Sequence, residues 1–90
     1  MKYIAFWEFC PEDAEKVAEK WEKRKYKLKT LFPPHSMSGE PKGFTIFESD
    51  DEVEIMRYIQ HYSPEMRIKV VPIFESSKAV ELMRERGSAS

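Results

Sequence analysis

The segment KYIAFWEF, residues 2–9, carries apolar side chains on both sides of an extended chain. Successive side chains of a strand point to opposite faces, so Tyr3, Ala5, Trp7 and Phe9 fall on one side and Ile4 and Phe6 on the other. A sheet built on such a strand has two apolar surfaces to cover. Helices of the same chain can take one of them, and the second calls for a partner or a ligand. Ninety residues make one domain with one core, which buries roughly 60% of the unfolded chain's surface.

The remaining periodicities set the order of elements. Pro11 suits the first position of a helix, with Glu12 and Asp13 near its positive end. Ala14, Val17, Ala18, Trp21 and Leu28 recur at helical spacing, which carries the predicted helix to between Tyr26 and Lys29. Pro33 and Pro34 forbid further helix. The chain is expected to run extended over His35 to Ser38, turn through Gly39 to Gly43, and return over Phe44 to Glu48 as a hairpin. Ser49-Asp50-Asp51-Glu52 matches a capping box ahead of a helix bearing Ile55, Met56, Ile59 and Tyr62, closed by Ser63-Pro64. Arg67 to Glu75 predicts the last strand, whose Pro72 suits a sheet edge. A short helix over Ser76 to Arg86 follows, stopped by Gly87, which leaves a single domain over 1–87 and a flexible tail over 88–90. The fold class is therefore α+β: a ferredoxin-like βαββαβ chain with an antiparallel four-stranded sheet, two helices on one face and a short C-terminal helix.

Charge and cysteine usage narrow the function classes. Fifteen basic and sixteen acidic side chains leave a net charge of −1, so no global field recruits nucleic acid or an anionic membrane. Cys10 is the sole cysteine, which rules out an intrachain disulfide, argues against a metal cluster and suits a reducing cytoplasm. The N-terminal apolar run is too short to span a bilayer and is followed by acidic residues rather than a cleavage site. The chain has no Asn and one Gln beside abundant Glu and Lys, a composition associated with heat-adapted proteins.

The stretch GFTIFESDDEVEIMRYIQHY, followed by VVPIFES, resembles an uncharacterised family, a domain of unknown function on the ferredoxin-like, dimeric α/β-barrel plan. Gly43-Phe44, Glu48-Ser49-Asp50-Asp51 and Val71-Pro72-Ile73 carry the likeness most specifically, and Trp7-Glu8 fits more loosely. The resemblance implies a fold, while a homodimer or higher oligomer is expected from the uncovered apolar sheet face. The resemblance leaves activity open, because the wider superfamily holds ligand-binding modules, isomerases, dehydratase-like enzymes and cofactor-free oxygenases. KGFTIFES also begins like the third-strand motif of an RNA-recognition motif, but Ile46 stands where a second stacking aromatic belongs, and Glu48, Asp50, Asp51, Glu52 and Glu54 repel phosphate.

Pairing of the first and third strands is expected to place Tyr3, Ala5, Trp7, Phe9, Phe44 and Ile46 together on the face away from the helices, as a dimer face or a small-molecule pocket. Histidine is the side chain type suited to proton transfer near neutral pH, which makes His35 the candidate general base. No acidic residue stands at a spacing that guarantees it an orienting partner, so a surface histidine on an edge strand is the plainer reading. His61 sits in a last helical turn, where a cation is simply favourable. The basic run from Lys20 to Lys29 reads as a solvated helix end, and Cys10 as an inert thiol beside Glu8, Glu12 and Asp13. There is no phosphate-binding glycine loop and no nucleophile elbow. The expectation is a small oligomeric domain that binds a small molecule or interacts through its apolar sheet face, with no cofactor, no metal, no nucleic acid and no membrane. The alternative is a small cofactor-free isomerase, dehydratase or monooxygenase using His35.

Overall fold

The computed structural model describes residues 1–89. Four strands and three α-helices follow in the order β1 (Lys2–Phe9), α1 (Ala14–Glu22), β2 (Lys29–Ser36), β3 (Lys42–Glu48), α2 (Glu52–Tyr62), β4 (Met66–Ile73) and α3 (Ser76–Ala89), with a 3-10 turn over Pro11–Asp13 where the first helix is expected to start. The strands form one antiparallel sheet in the order β2-β3-β1-β4, the ferredoxin-like arrangement. β1 is interior, as its two apolar faces require. β4 lies at an edge, where the missing N–H of Pro72 is tolerated.

Strand register fixes the two faces. Tyr3 stands opposite Phe47, Ala5 opposite Thr45 and Trp7 opposite Gly43, and these positions face α1 and α2. Ile4 stands opposite Ile46 and Phe6 opposite Phe44 on the other side. The fully packed core comprises Ala5, Val17, Phe47, Tyr58, Tyr62 and Met66, with Tyr3, Trp7, Phe9, Tyr26 and Leu28 half-buried around it. A polar tie closes the end of this layer: His61 donates from Nε2 to the Lys20 carbonyl oxygen at 2.5 Å, and Lys20 Nζ reaches Glu65 at 2.5 Å.

Several local expectations change. The first helix ends at Glu22, and Tyr26 and Leu28 reach the core from an irregular segment instead. Lys23 closes the last turn on the Glu19 carbonyl, and the Arg24 side chain donates to the Trp21 carbonyl, so the basic residues cap the helix rather than extend it. The second strand starts at Lys29 and includes both prolines, because an edge strand accepts residues without an N–H. Register breaks between Thr30 and Phe32 and between Phe32 and His35 absorb them. The N-cap of α2 is Asp51, whose carboxylate accepts from the Val53 N–H at 2.9 Å, while Ser49 bonds the Asp51 backbone. The capping box with Glu52 does not form.

α3 continues through Gly87 to Ala89, so the expected tail over 88–90 is helical as far as Ala89, and Ser90 lies outside the described residues. Phe74 and the helix from Ser76 to Arg86 are exposed throughout, including Val80, Leu82 and Met83.

Candidate functional site

A cleft of about 640 Å³ opens between the sheet and the helices. The sheet supplies its floor through Trp7, Phe9, Thr45 and Phe47, and β2 supplies one wall through Thr30, Pro33, Pro34 and Ser36. α1 contributes Ala14, Val17, Ala18 and Trp21, and the irregular segment after it contributes Arg24, Tyr26 and Leu28. Its volume falls within the range of small-molecule sites, and its lining has the usual composition of such sites, mostly apolar with a few polar groups.

Rings dominate the inner end. Tyr26 packs edge-on to Tyr58 with centroids 4.9 Å apart, Tyr58 packs edge-on to Phe47 at 5.8 Å, and Trp7 stacks with Phe9 at 6.1 Å. The hydroxyls of Tyr26 and Tyr62 share a hydrogen bond of 2.8 Å. Burial pushes the phenols of Tyr26, Tyr58 and Tyr62 above the ordinary tyrosine value, so all three are neutral hydroxyls near neutral pH. Among the described residues lining the cleft, none carries a carboxylate, an imidazole or a thiol. The lining can hold and orient a molecule, and it contains no group poised to take a proton at neutral pH.

Gly43 shapes the floor. A Cβ there would collide with the His35 carbonyl oxygen and lie 2.5 Å from Cζ2 of Trp7. The glycine that resembles part of a nucleic-acid motif is a slot for the Trp7 indole. The Trp7 indole can approach β3 this closely, while lining the cleft, because position 43 lacks a side chain.

The six residues grouped from the sequence separate. Tyr3, Ala5, Trp7 and Phe9 lie on the helix-covered face, where Tyr3 stacks on Phe47 at 5.5 Å, Ala5 is fully buried, and Trp7 and Phe9 line the cleft. Phe44 and Ile46 lie on the opposite, open face with Ile4 and Phe6. Register is the reason: antiparallel partners share a face, and pairing Tyr3 with Phe47 rather than with Phe44 or Ile46 puts the two sets on opposite sides. His35 pairs with Phe44 and stacks on Phe32 at 4.4 Å, so it too belongs to the open face, with Nδ1 donating to the Pro33 carbonyl at 2.6 Å. It does not line the cleft. The six residues therefore do not form one face or pocket, and the cleft lies within one chain on the helix-covered side. The residues that sequence reading missed are Arg24, Tyr26, Tyr58 and Tyr62. The spacing of Tyr58 and Tyr62, one helical turn apart, was the available signal.

The sequence from residue 1 to 87 matches the family described as Domain of unknown function (DUF3303). The chain belongs to that family. A comparison with curated proteins gives no match. No helix among the described residues is long and apolar enough to cross a membrane.

Proposed function

We propose that this DUF3303 domain binds a small, ring-bearing apolar molecule in the cleft between its sheet and its helices, and that it does so as a pair of copies joined through their open sheet faces. The observation that carries the first part is the aromatic cleft itself, with Trp7, Trp21, Tyr26 and Tyr58 lining a space large enough for a drug-sized molecule. The pairing is supported by the open face, which presents Ile4, Phe6, Phe32, Phe44, Ile46, Val71 and Ile73 side by side across all four strands. Phe6 is 43% and Phe32 38% exposed. Covering a large apolar side chain is worth about 1.5–3 kcal/mol, so a face of this size favours association. The exposed thiol of Cys10 suits a reducing compartment such as the cytoplasm.

Trp7 and Trp21 both line the cleft, which makes their emission the natural readout. Titration with 1-anilinonaphthalene-8-sulfonate should quench that emission saturably and raise the unfolding temperature. A linear, unsaturable response with no thermal shift rejects the binding reading. Light scattering at micromolar concentration should give the mass of a dimer, and a monomer there rejects the pairing.

The alternative of a cofactor-free enzyme with His35 as general base loses support from the placement of His35 on the opposite face from the cleft. His35→Ala should leave ligand binding in the cleft unchanged. A ligand that the wild type turns over and His35→Ala binds without turnover would establish the enzyme instead.

A further inference from the structure

We infer that the cleft selects an amphipathic monocarboxylate, an apolar ring-bearing body with one carboxylate, and that Arg24 receives the carboxylate. This rests on the reading that the cleft binds a small molecule. Arg24 is the single charged side chain of the lining. Its guanidinium lies 4.2 Å over the Trp21 ring, and one of its nitrogens donates to the Trp21 carbonyl oxygen at 2.8 Å. Two contacts fix the position of the group while most of its five N–H donors remain for another acceptor.

The neighbouring cations are engaged differently. Lys20 pairs with Glu65, Lys23 with Glu19 and Lys29 with Glu48. Among the described residues, Arg24 has no carboxylate within ion-pair distance. Lys25 and Lys27 also have no ion pair among the described residues, but Arg24 is the one of the three that is fixed on Trp21 and lies along the aromatic cleft. The hydroxyl pair adds a second feature. Two hydroxyls that bond each other use one proton between them, so the Tyr26–Tyr62 pair keeps one O–H to donate. The charge of Arg24 acts on both of these phenols, opposing the burial that raises them, which places guanidinium and hydroxyls in one electrostatic neighbourhood. A carboxylate reaching Arg24 from inside the cleft satisfies the unbalanced charge, and the rings and Val17, Leu28 and Met66 take the apolar body.

The test uses three probes of one shape: 4-phenylbutanoate, 4-phenylbutan-1-ol and 4-phenylbutylamine, titrated by tryptophan fluorescence into wild type, Arg24→Gln and Arg24→Lys at one ionic strength. Arg24 is exposed, so both variants should fold as the wild type does. The expected result is about tenfold tighter binding of the carboxylate than of the alcohol, the scale of one charge-assisted hydrogen-bonded contact, with the amine weakest. Arg24→Gln should bring acid and alcohol together without changing the alcohol, and Arg24→Lys should keep part of the preference. Equal binding of acid and alcohol by the wild type, or a preference that survives in Arg24→Gln, overturns the carboxylate inference and leaves the binding reading standing. Saturable binding of none of the three removes both.

Discussion

The two faces of the sheet are built from the same strands with the same kind of residue, and they have opposite fates. On β1, Tyr3, Ala5, Trp7 and Phe9 alternate with Ile4 and Phe6; on β3, Thr45 and Phe47 alternate with Phe44 and Ile46. The first set lies beneath α1 and α2, with Phe47 only 1% exposed, while Phe6, adjacent on β1 to the fully buried Ala5, is 43% exposed. Hydrophobicity alone does not distinguish them. The helices do, because both crossovers return on the same side of the sheet and leave the other side bare. The covered face is in turn incompletely filled, and the cleft is the gap between α1 and β2.

Four measurements break or sharpen this contrast. Phe47→Ala should have the largest effect, a loss of about 3–5 kcal/mol in urea unfolding that does not depend on protein concentration, since the ring is lost from the core of each copy. A concentration-dependent loss there would mean that the two faces are not separable. If the proposed pair forms through the open face, Phe6→Ser should lower stability by about 1.5–3 kcal/mol only at concentrations where that pair is populated, and should give a monomer by light scattering. The same loss in dilute protein would show that Phe6 supports the single chain. Gly43→Ala should cost about 1–3 kcal/mol and shift the Trp7 emission, as the added methyl pushes the indole and β2 apart. An unchanged emission spectrum would refute the role given to the glycine.

The smallest effect concerns pH. Hydrogen bonding to Lys20 is the main cause that holds the Glu65 carboxyl below the ordinary carboxylate range. A depressed folded value means that the contribution is fully present above the unfolded carboxyl's value, about 4.3, and is lost as pH falls through the folded one. The buried phenols act at the other end. Raised folded values for Tyr58 and Tyr62 give a contribution present in full below an unfolded phenol's value of about 10 and lost as pH rises beyond it. Wild type should therefore lose unfolding temperature at both limits. Glu65→Gln should flatten the acid limb only and Tyr62→Phe should weaken the alkaline limb only; a variant that moves the opposite limb contradicts its assignment.

Much of the architecture could be read from the chain because it depends on local rules. Period-two alternation in residues 2–9, the glycine turn before Phe44 and the tolerance of Pro72 at an edge are each set by a few neighbouring residues, and Pro11 opens a 3-10 turn ahead of α1 rather than α1 itself. Belonging to DUF3303 is likewise a property of the sequence. Which apolar face meets the helices is not local. The alternation in KYIAFWEF is equally consistent with either orientation, and only the pairing of Tyr3 with Phe47 and of Ile4 with Ile46, set by the register of β1 on β3, puts Trp7 and Phe9 in the cleft and Phe44, Ile46 and His35 outside it. The ends of α1 and β2 depart from the local pattern for the same reason: helical spacing continues past Glu22, but capping by Lys23 and Arg24 and the capture of Tyr26 by Tyr62 are contacts made in three dimensions. The sequence by itself determined that the sheet would have two apolar faces, since side-chain alternation is intrinsic to a strand. The tertiary structure decided which face became a cleft, because register and the side on which the helices return depend on contacts between residues far apart in the chain.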